Sequence, residues 1–348
     1  MLVFLKIELK KLISEEKVVY DKKTKLKVAL NAEANRLLKN TQNNRCMYKE
    51  CCNKPIDSHC YQKSMLEEKL SDKEGMVYCW SIKGLTQGIR NGEESFFGKE
   101  HINKATVFKG FCEENHDAPL FRLIEVKDYV EKASLEEYSF LYAYRNLCHL
   151  LWEEKAVLTI DNDIFEKQYH NPVINDIKPL VNSRLNEISK KLSMNFDFRK
   201  YENLKNLFEK FIVDDGTVKP EFNKEFKIFT YQIDNELSFA SLGCKELLES
   251  KYPISFGILP EFQNKPNIFY MIAHKEDSNI LNQLVEYSQH GGFFIQNIVL
   301  KCTSNTILHP KLYNKLCSTG EIYNLNKFIS SDKYLDFNDH LGFNLFDV

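Results

Sequence analysis

The sequence predicts an α+β fold in three parts. These are an N-terminal domain over residues 1–130, a helical connecting region over 131–215, and a C-terminal α+β domain over 220–348 with a mainly antiparallel sheet. Three observations carry this reading. Two short Cys/His pairs stand tens of residues apart in polar surroundings between positions 46 and 116. The middle of the chain has helical periodicity, with Leu135, Tyr138, Leu141, Tyr142, Leu147, Leu150 and Leu151 recurring through 135–155, so most of one face is buried. After VDDGTVKPEF (213–222), where Gly and Pro sit among polar residues, the texture changes to short β-like runs.

Taken in order, residues 3–9 and 17–20 read as strands and 29–40 as a helix, with Ala29, Leu30, Ala34, Leu37 and Leu38 at helical spacing. MLEEKL (65–70) reads as helical and MVYCWSI (76–82) as a strand. Residues 83–104, with several glycines and mixed charges, read as a loop or insertion. ATVFKGFC (105–112) is a strand running into a turn, and ENHDAPLFRLIE (114–125) is a helix. Two more helices are expected near 176–192 and 200–212. The C-terminal strands are 226–233, 237–242, 254–259, 267–273 and 293–300, interrupted by helices near 277–288 and 310–317.

Composition narrows the function classes. No stretch of 18 apolar residues is present, and the apolar start lacks a basic leader and a small-residue cleavage site, which argues against a membrane protein or an exported one. Ten cysteines in such a chain point to a reducing, cytoplasmic setting, where they are core residues, metal ligands or thiols rather than a disulfide framework. A net charge of −2 gives no global basic field for nucleic acid. Residues 1–60 nevertheless hold 13 Lys/Arg against 7 Asp/Glu, either a solvated face or a phosphate-facing surface. There is no phosphate loop and no GxSxG elbow. Nothing local marks Cys60 or Cys112 as an activated nucleophile. His274 and His309 stand alone, His290-Gly291-Gly292 reads as a turn, and the alternating Phe226, Phe229 and Tyr231 read as core rather than as a base-stacking platform. The acidic C-terminus with Asp332, Asp336, Asp339 and Asp347 reads as a docking or capping tail.

The chemistry-bearing pattern is Cys46-x4-Cys51 in a polar loop and Cys112-x3-His116 where a strand turns into a helix. Two ligand pairs on turns form the usual arrangement of a closed tetrahedral zinc site, and thiolate with imidazole suits that borderline-soft ion. Cys52 could replace Cys51 by a one-residue shift, but Cys51 gives the commoner spacing. The competing account, buried free thiols, must explain why Cys46, Cys51 and Cys52 lie among Arg, Lys, Glu and Asn. Cys79, Cys148 and Cys244 sit in apolar or helical contexts and read as core.

Between the pairs lies Pro55-Ile56-Asp57-Ser58-His59-Cys60-Tyr61-Gln62. With this Ser-His element, residues 46–117 resemble the zinc-stapled HNH (His-Me finger, treble-clef) nuclease domains. The resemblance implies that Cys46, Cys51, Cys112 and His116 hold a structural Zn2+. It implies that His59 is the general base and that Asp117 binds a catalytic Mg2+ or Mn2+. Such a base needs a pKa near neutrality, and a carboxylate suits a hard cation. Gln62 and Lys63 would be phosphate or supporting contacts. The chain departs from the family pattern at three points. The second pair has three intervening residues, the gap from His59 to Cys112 is long, and the middle Asn of the motif has no clear counterpart, Asn103 being the nearest choice. The phrase FKGFCEENHDAPLF, with PIDSHCYQKS before it and FLYAYRNL after it, is also similar to a group of uncharacterised bacterial proteins suspected to be nucleases or defence factors. The expectation is a metal-dependent nuclease acting on nucleic acid, and a protein partner is compatible with it. The alternative is a non-catalytic, zinc-stabilised binding or regulatory module.

Overall fold

The computed structural model describes residues 45–80, 97–158, 196–233, 236–247, 249–262, 265–289, 292–330 and 341–346. The expected strands at 3–9 and 17–20, the helices at 29–40 and 176–192, the His290-Gly291 turn and the acidic tail lie outside them. The chain divides into two compact units. One comprises Asn43–Trp80, Lys99–Leu150 and Arg199–Val348 and holds nearly all the described residues; the other comprises Met1–Gln42, Ser81–Gly98 and Leu151–Phe198. The first unit carries both Cys/His pairs and most of the sheet.

The described elements begin with β1 (Asp57–His59), α1 (Lys63–Met65) running into a π-helical turn (Leu66–Leu70), β2 (Met76–Trp80), β3 (Phe97–His101) and β4 (Val107–Lys109). A second π-helical turn (Glu113–Asp117) leads into α2 (Ala118–Glu125), α3 (Lys127–Val130) and α4 (Leu135–Leu158). After α5 (Phe198–Glu209) and α6 (Phe222–Glu225) come β5 (Phe226–Gln232), β6 (Phe239–Lys245), β7 (Ile254–Phe262) and β8 (Lys265–His274). A 3-10 turn (Lys275–Asp277), α7 (Ser278–Ser288), α8 (Gly292–Cys302), β9 (Thr303–Leu308), α9 (Pro310–Thr319) and α10 (Glu321–Ser330) complete the order. The α+β class is as expected. Seven strands form one sheet in the order β3-β2-β9-β6-β7-β8-β5, and β1 pairs with β4 separately. Every pairing with a defined register is antiparallel.

Strand alternation sorts side chains onto two faces of the sheet. Phe226 shares a face with Tyr270 and Gly257, by the registers Thr230↔Tyr270 and Gly257↔Tyr270. Against this face pack α4 and α5, through an aromatic group in which Phe140, Phe208 and Phe226 lie 4.5–5.3 Å apart between ring centres. Each of these rings is fully buried or nearly so, worth about 1.5–3 kcal/mol of transfer free energy apiece. Glycine is required at Gly257 because a Cβ there would lie 2.2 Å from the Tyr270 ring. On the opposite face, Tyr78 of β2 stacks on Tyr313 of α9 at 3.6 Å.

Three local results differ from the sequence expectation. Residues 293–300 form helix α8, not a strand. Every side chain from Ile295 to Leu300 is buried, so the run has no polar face to reveal a 3.6-residue period. Thr303–Leu308 is a strand that periodicity does not mark, because its residues are polar; inside the sheet, the Ser241, Thr303 and Thr306 hydroxyls satisfy one another at 2.8–2.9 Å. Phe97–His101 is a strand within a stretch expected to be loop. Helix α4 is also more deeply placed than a one-faced pattern implies, since every residue from Tyr138 to Leu151 is buried. The Val213–Val218 stretch closes on itself through Val213 N–H to the Thr217 carbonyl, 2.9 Å, and lies so close to α2 that a Cβ on Gly216 would meet the Pro119 carbonyl at 2.3 Å.

Candidate metal centre

The centre begins with a tight turn. The Cys46 N–H donates to the Asn53 carbonyl at 2.7 Å and the Cys51 N–H to the Tyr48 carbonyl at 3.2 Å, with Glu50 in the left-handed region at φ 56°. The turn is stapled to the following ladder by Met47 N–H to the Gly110 carbonyl and Ile56 N–H to the Phe111 carbonyl, both 2.8 Å. In that ladder Asp57 faces Lys109, Ser58 faces Phe108 and His59 faces Val107. The chain then turns at Cys112 into the helix. There the His116 N–H donates to the Cys112 carbonyl at 3.2 Å, setting both side chains on one turn.

These two turns bring Cys46, Cys51, Cys112 and His116 together, with all four potential ligand atoms within 4.8 Å of one another. His116 Nδ1 lies 3.1 Å from Cys112 Sγ and 3.3 Å from Cys46 Sγ, and the Cys51 and Cys112 sulfurs are 3.9 Å apart. A tetrahedral zinc shell requires edges of about 3.8 Å between sulfurs and about 3.6 Å from sulfur to nitrogen, from bond lengths of about 2.3 and 2.0–2.1 Å. The sulfur–sulfur contact matches that shell, and the two sulfur–nitrogen contacts are a few tenths of an ångström shorter. All ten cysteines are free, so no disulfide competes for these sulfurs. The Cys112 N–H donates to Cys46 Sγ at 3.4 Å, a contact that favours a thiolate. Burial pushes the Cys46 thiol up to about 12, so a bound cation is what would ionise it. The Cys3His site is thus able to hold a metal and compatible with structural zinc. Cys51, not the exposed Cys52, completes it.

Asp117 directly follows His116 at the start of the helix, and His59 ends β1, where it feels the Asp117 charge. Both are half-buried. His59 Nδ1 and Asp117 Oδ1 are each buried without a hydrogen-bond partner. Burial first, then the Arg145 charge, hold the His59 pKa below its ordinary value, opposed by a backbone hydrogen bond at Ala105 and by the Asp117 charge. Arg145, within the FLYAYRNL phrase, and Glu125 form an ion pair, and the Arg145 charge acts on His59 and feels Asp117. Burial pushes the Glu125 carboxyl up, and Arg145 pulls it back.

Gln62 serves this pair, its side-chain amide donating to the Glu125 carbonyl at 3.1 Å while its N–H donates to the Tyr142 hydroxyl at 3.2 Å. Lys63 pairs instead with Glu67 at the surface, 3.7 Å. Asn103 lies in the turn after β3, its N–H on His101 Nδ1 at 3.2 Å. His309 and His274 cap the starts of α9 and the 3-10 turn. Phe226 is core, whereas Tyr231 is 52% exposed. Among the described residues, no helix is long and apolar enough to cross a membrane. No family model, no curated protein and no solved structure matches the chain.

Proposed function

We propose that this protein is a metal-dependent nuclease of the HNH type, built on a treble-clef domain whose Cys46, Cys51, Cys112 and His116 hold a structural zinc. The observation that carries this reading is the pairing of His59 and Asp117. His59 ends a paired strand and Asp117 follows the ligand His116, their charges interact, and each keeps one buried atom without a partner. A turn, the paired strands β1 and β4 and a ligand-bearing helix support this reading.

The roles follow from the chemistry of the groups. Burial keeps the His59 imidazole neutral near pH 7, so unpartnered Nδ1 offers a lone pair. It takes the proton from the water that attacks phosphorus. The Asp117 carboxylate holds the exchangeable cation. Mg2+ or Mn2+, when bound, stabilises the charge that develops on the phosphate and leaving oxygens. The substrate is a nucleic-acid phosphodiester, and a role in bacterial defence or in a toxin system suits such an enzyme.

The test is plasmid and RNA cleavage by the full chain with Mg2+ or Mn2+. His59→Ala should abolish cleavage while zinc content and thermal unfolding stay at wild-type values; cleavage retained by this variant removes His59 from the chemistry. A zinc-stabilised binding module without catalysis is the second reading, and one observation favours it. Among the described residues, the quartet is the one group of three or more His, Cys, Asp or Glu side chains gathered closely enough to hold an ion. A catalytic cation at Asp117 therefore depends on substrate oxygens to complete its shell.

A further inference from the structure

Arg145 stands on α4 within the stretch from Tyr138 to Leu151 where every residue is buried, and is itself 2% exposed. A guanidinium in such a place needs partners for its five donors. Its Nη1 bonds Glu125, and its face lies 4.6 Å from the centre of the Phe121 ring. Its Nε–H is buried and has no acceptor. The neighbours whose charges it feels do not serve: Asp117 Oδ1 is also buried without a partner, as is His59 Nδ1. Arg145 thus carries an open donor, Asp117 an open acceptor and His59 an open ring nitrogen. The charges of all three interact, yet these atoms make no hydrogen bond with one another.

We infer that Arg145 is the anion-binding residue of the His59–Asp117 site, and that the group it takes is a non-bridging oxygen of a phosphate diester. The inference rests on the nuclease reading and extends it to a residue outside the zinc motif. A diester is anionic at every physiological pH and offers acceptors only, which matches a guanidinium donor. Glu125 and the Phe121 ring fix the plane of the guanidinium, and Gln62 fixes the end of α2 that carries Glu125. The arrangement presents a rigid, pre-oriented N–H rather than a flexible lysine at the surface. The charges of His59 and Asp117 interact with that of Arg145, so an anion held on Arg145 would share its site with both.

The test uses the full-length, zinc-loaded protein labelled with 15N. The Arg145 Nε–H resonance is followed while dimethyl phosphate is added at constant ionic strength, with sodium acetate and sodium chloride as controls. The expected result is a saturable shift with dimethyl phosphate alone. In parallel cleavage assays, Arg145→Lys should raise KM about tenfold or more, the loss of one charge-assisted contact. A resonance that dimethyl phosphate leaves in place overturns the proposal, and this measurement on the wild-type chain decides it even if Arg145→Lys fails to fold. A saturable shift in a protein that cleaves no nucleic acid leaves the anion site standing and removes the nuclease. Cleavage with a stationary resonance, and an unchanged KM in Arg145→Lys, removes the anion site and leaves the nuclease.

Discussion

The Tyr48 hydroxyl donates to Asp214 Oδ1 at 3.0 Å, joining residues 166 positions apart, while the Tyr48 ring lies 4.5 Å from the imidazole of His116. The same hydroxyl reaches the Ile212 carbonyl at 3.1 Å. Burial, then the Asp214 bond, hold the phenol protonated far above its usual range. A side chain inside the metal-binding turn therefore also fastens the 212–218 stretch. Tyr48→Phe keeps the ring and deletes the donor, removing a buried bond to the Ile212 carbonyl and a half-buried one to the exposed Asp214. The expected cost is about 1–2 kcal/mol, read as a lower urea midpoint of the metal-loaded protein. An unchanged midpoint would show that the link contributes nothing.

Metal removal should act as a folding perturbation. The quartet joins the turn at Cys46 to the helix start at Cys112 and His116, and metal-binding free energy at a closed site is folding free energy. A strong chelator should lower the thermal transition, and zinc should restore it. Cys51→Ser and Cys112→Ser should both lose the metal, whereas Cys52→Ser should retain it, by elemental analysis of the purified proteins. Metal retained by Cys51→Ser would reassign the fourth ligand.

His149 makes a prediction about acid. Burial pushes its pKa down to about 3, and its ring meets Phe108 edge-on at 5.2 Å. In the unfolded chain the group titrates near 6.5, as a free imidazole does. The unfolded state therefore binds more protons between these values. The folded state keeps its full advantage above about 6.5 and loses it as pH falls towards 3, by up to about 1.4 kcal/mol per pH unit. Burial shifts His59 and His116 in the same direction, and ligand thiolates also gain protons in acid. The diagnostic is thus a difference: His149→Leu should flatten the stability curve between pH 6.5 and 3 relative to wild type, measured by urea unfolding. Parallel curves would show that the His149 charge is tolerated in the folded state.

The four metal-site residues are legible in the sequence because ligand spacing is local and the surroundings of Cys46 and Cys51 are too polar for core thiols. Helices 114–125 and 135–155 and strands 226–233, 254–259 and 267–273 are legible from periodicity. Thr303–Leu308 is not, because its polarity is balanced by Ser241 across the sheet, a partner 62 residues from Thr303. Residues 293–300 mislead because a helix buried all round resembles a buried strand. Arg145 lies in the FLYAYRNL phrase but outside the zinc motif, and the sequence does carry a signal for it. It lies three and four residues beyond Tyr142 and Leu141, on the face the apolar periodicity marks as buried, where a charge calls for an explanation.

Strand β9 comes after the other eight described strands in the chain yet lies between β2 and β6. During synthesis the quartet and the β6–β7–β8 ladder can form as soon as their residues leave the ribosome, but β2 has no place in the large sheet until Thr303–Leu308 arrives. A chain stopped short of that strand would expose two raw sheet edges at once, the kind of surface on which chaperones act and from which aggregates grow. The many long-range pairings also place this fold among slow folders. Loss of the last few dozen residues should therefore be felt first as a failure of assembly at β2, far from the cut in sequence.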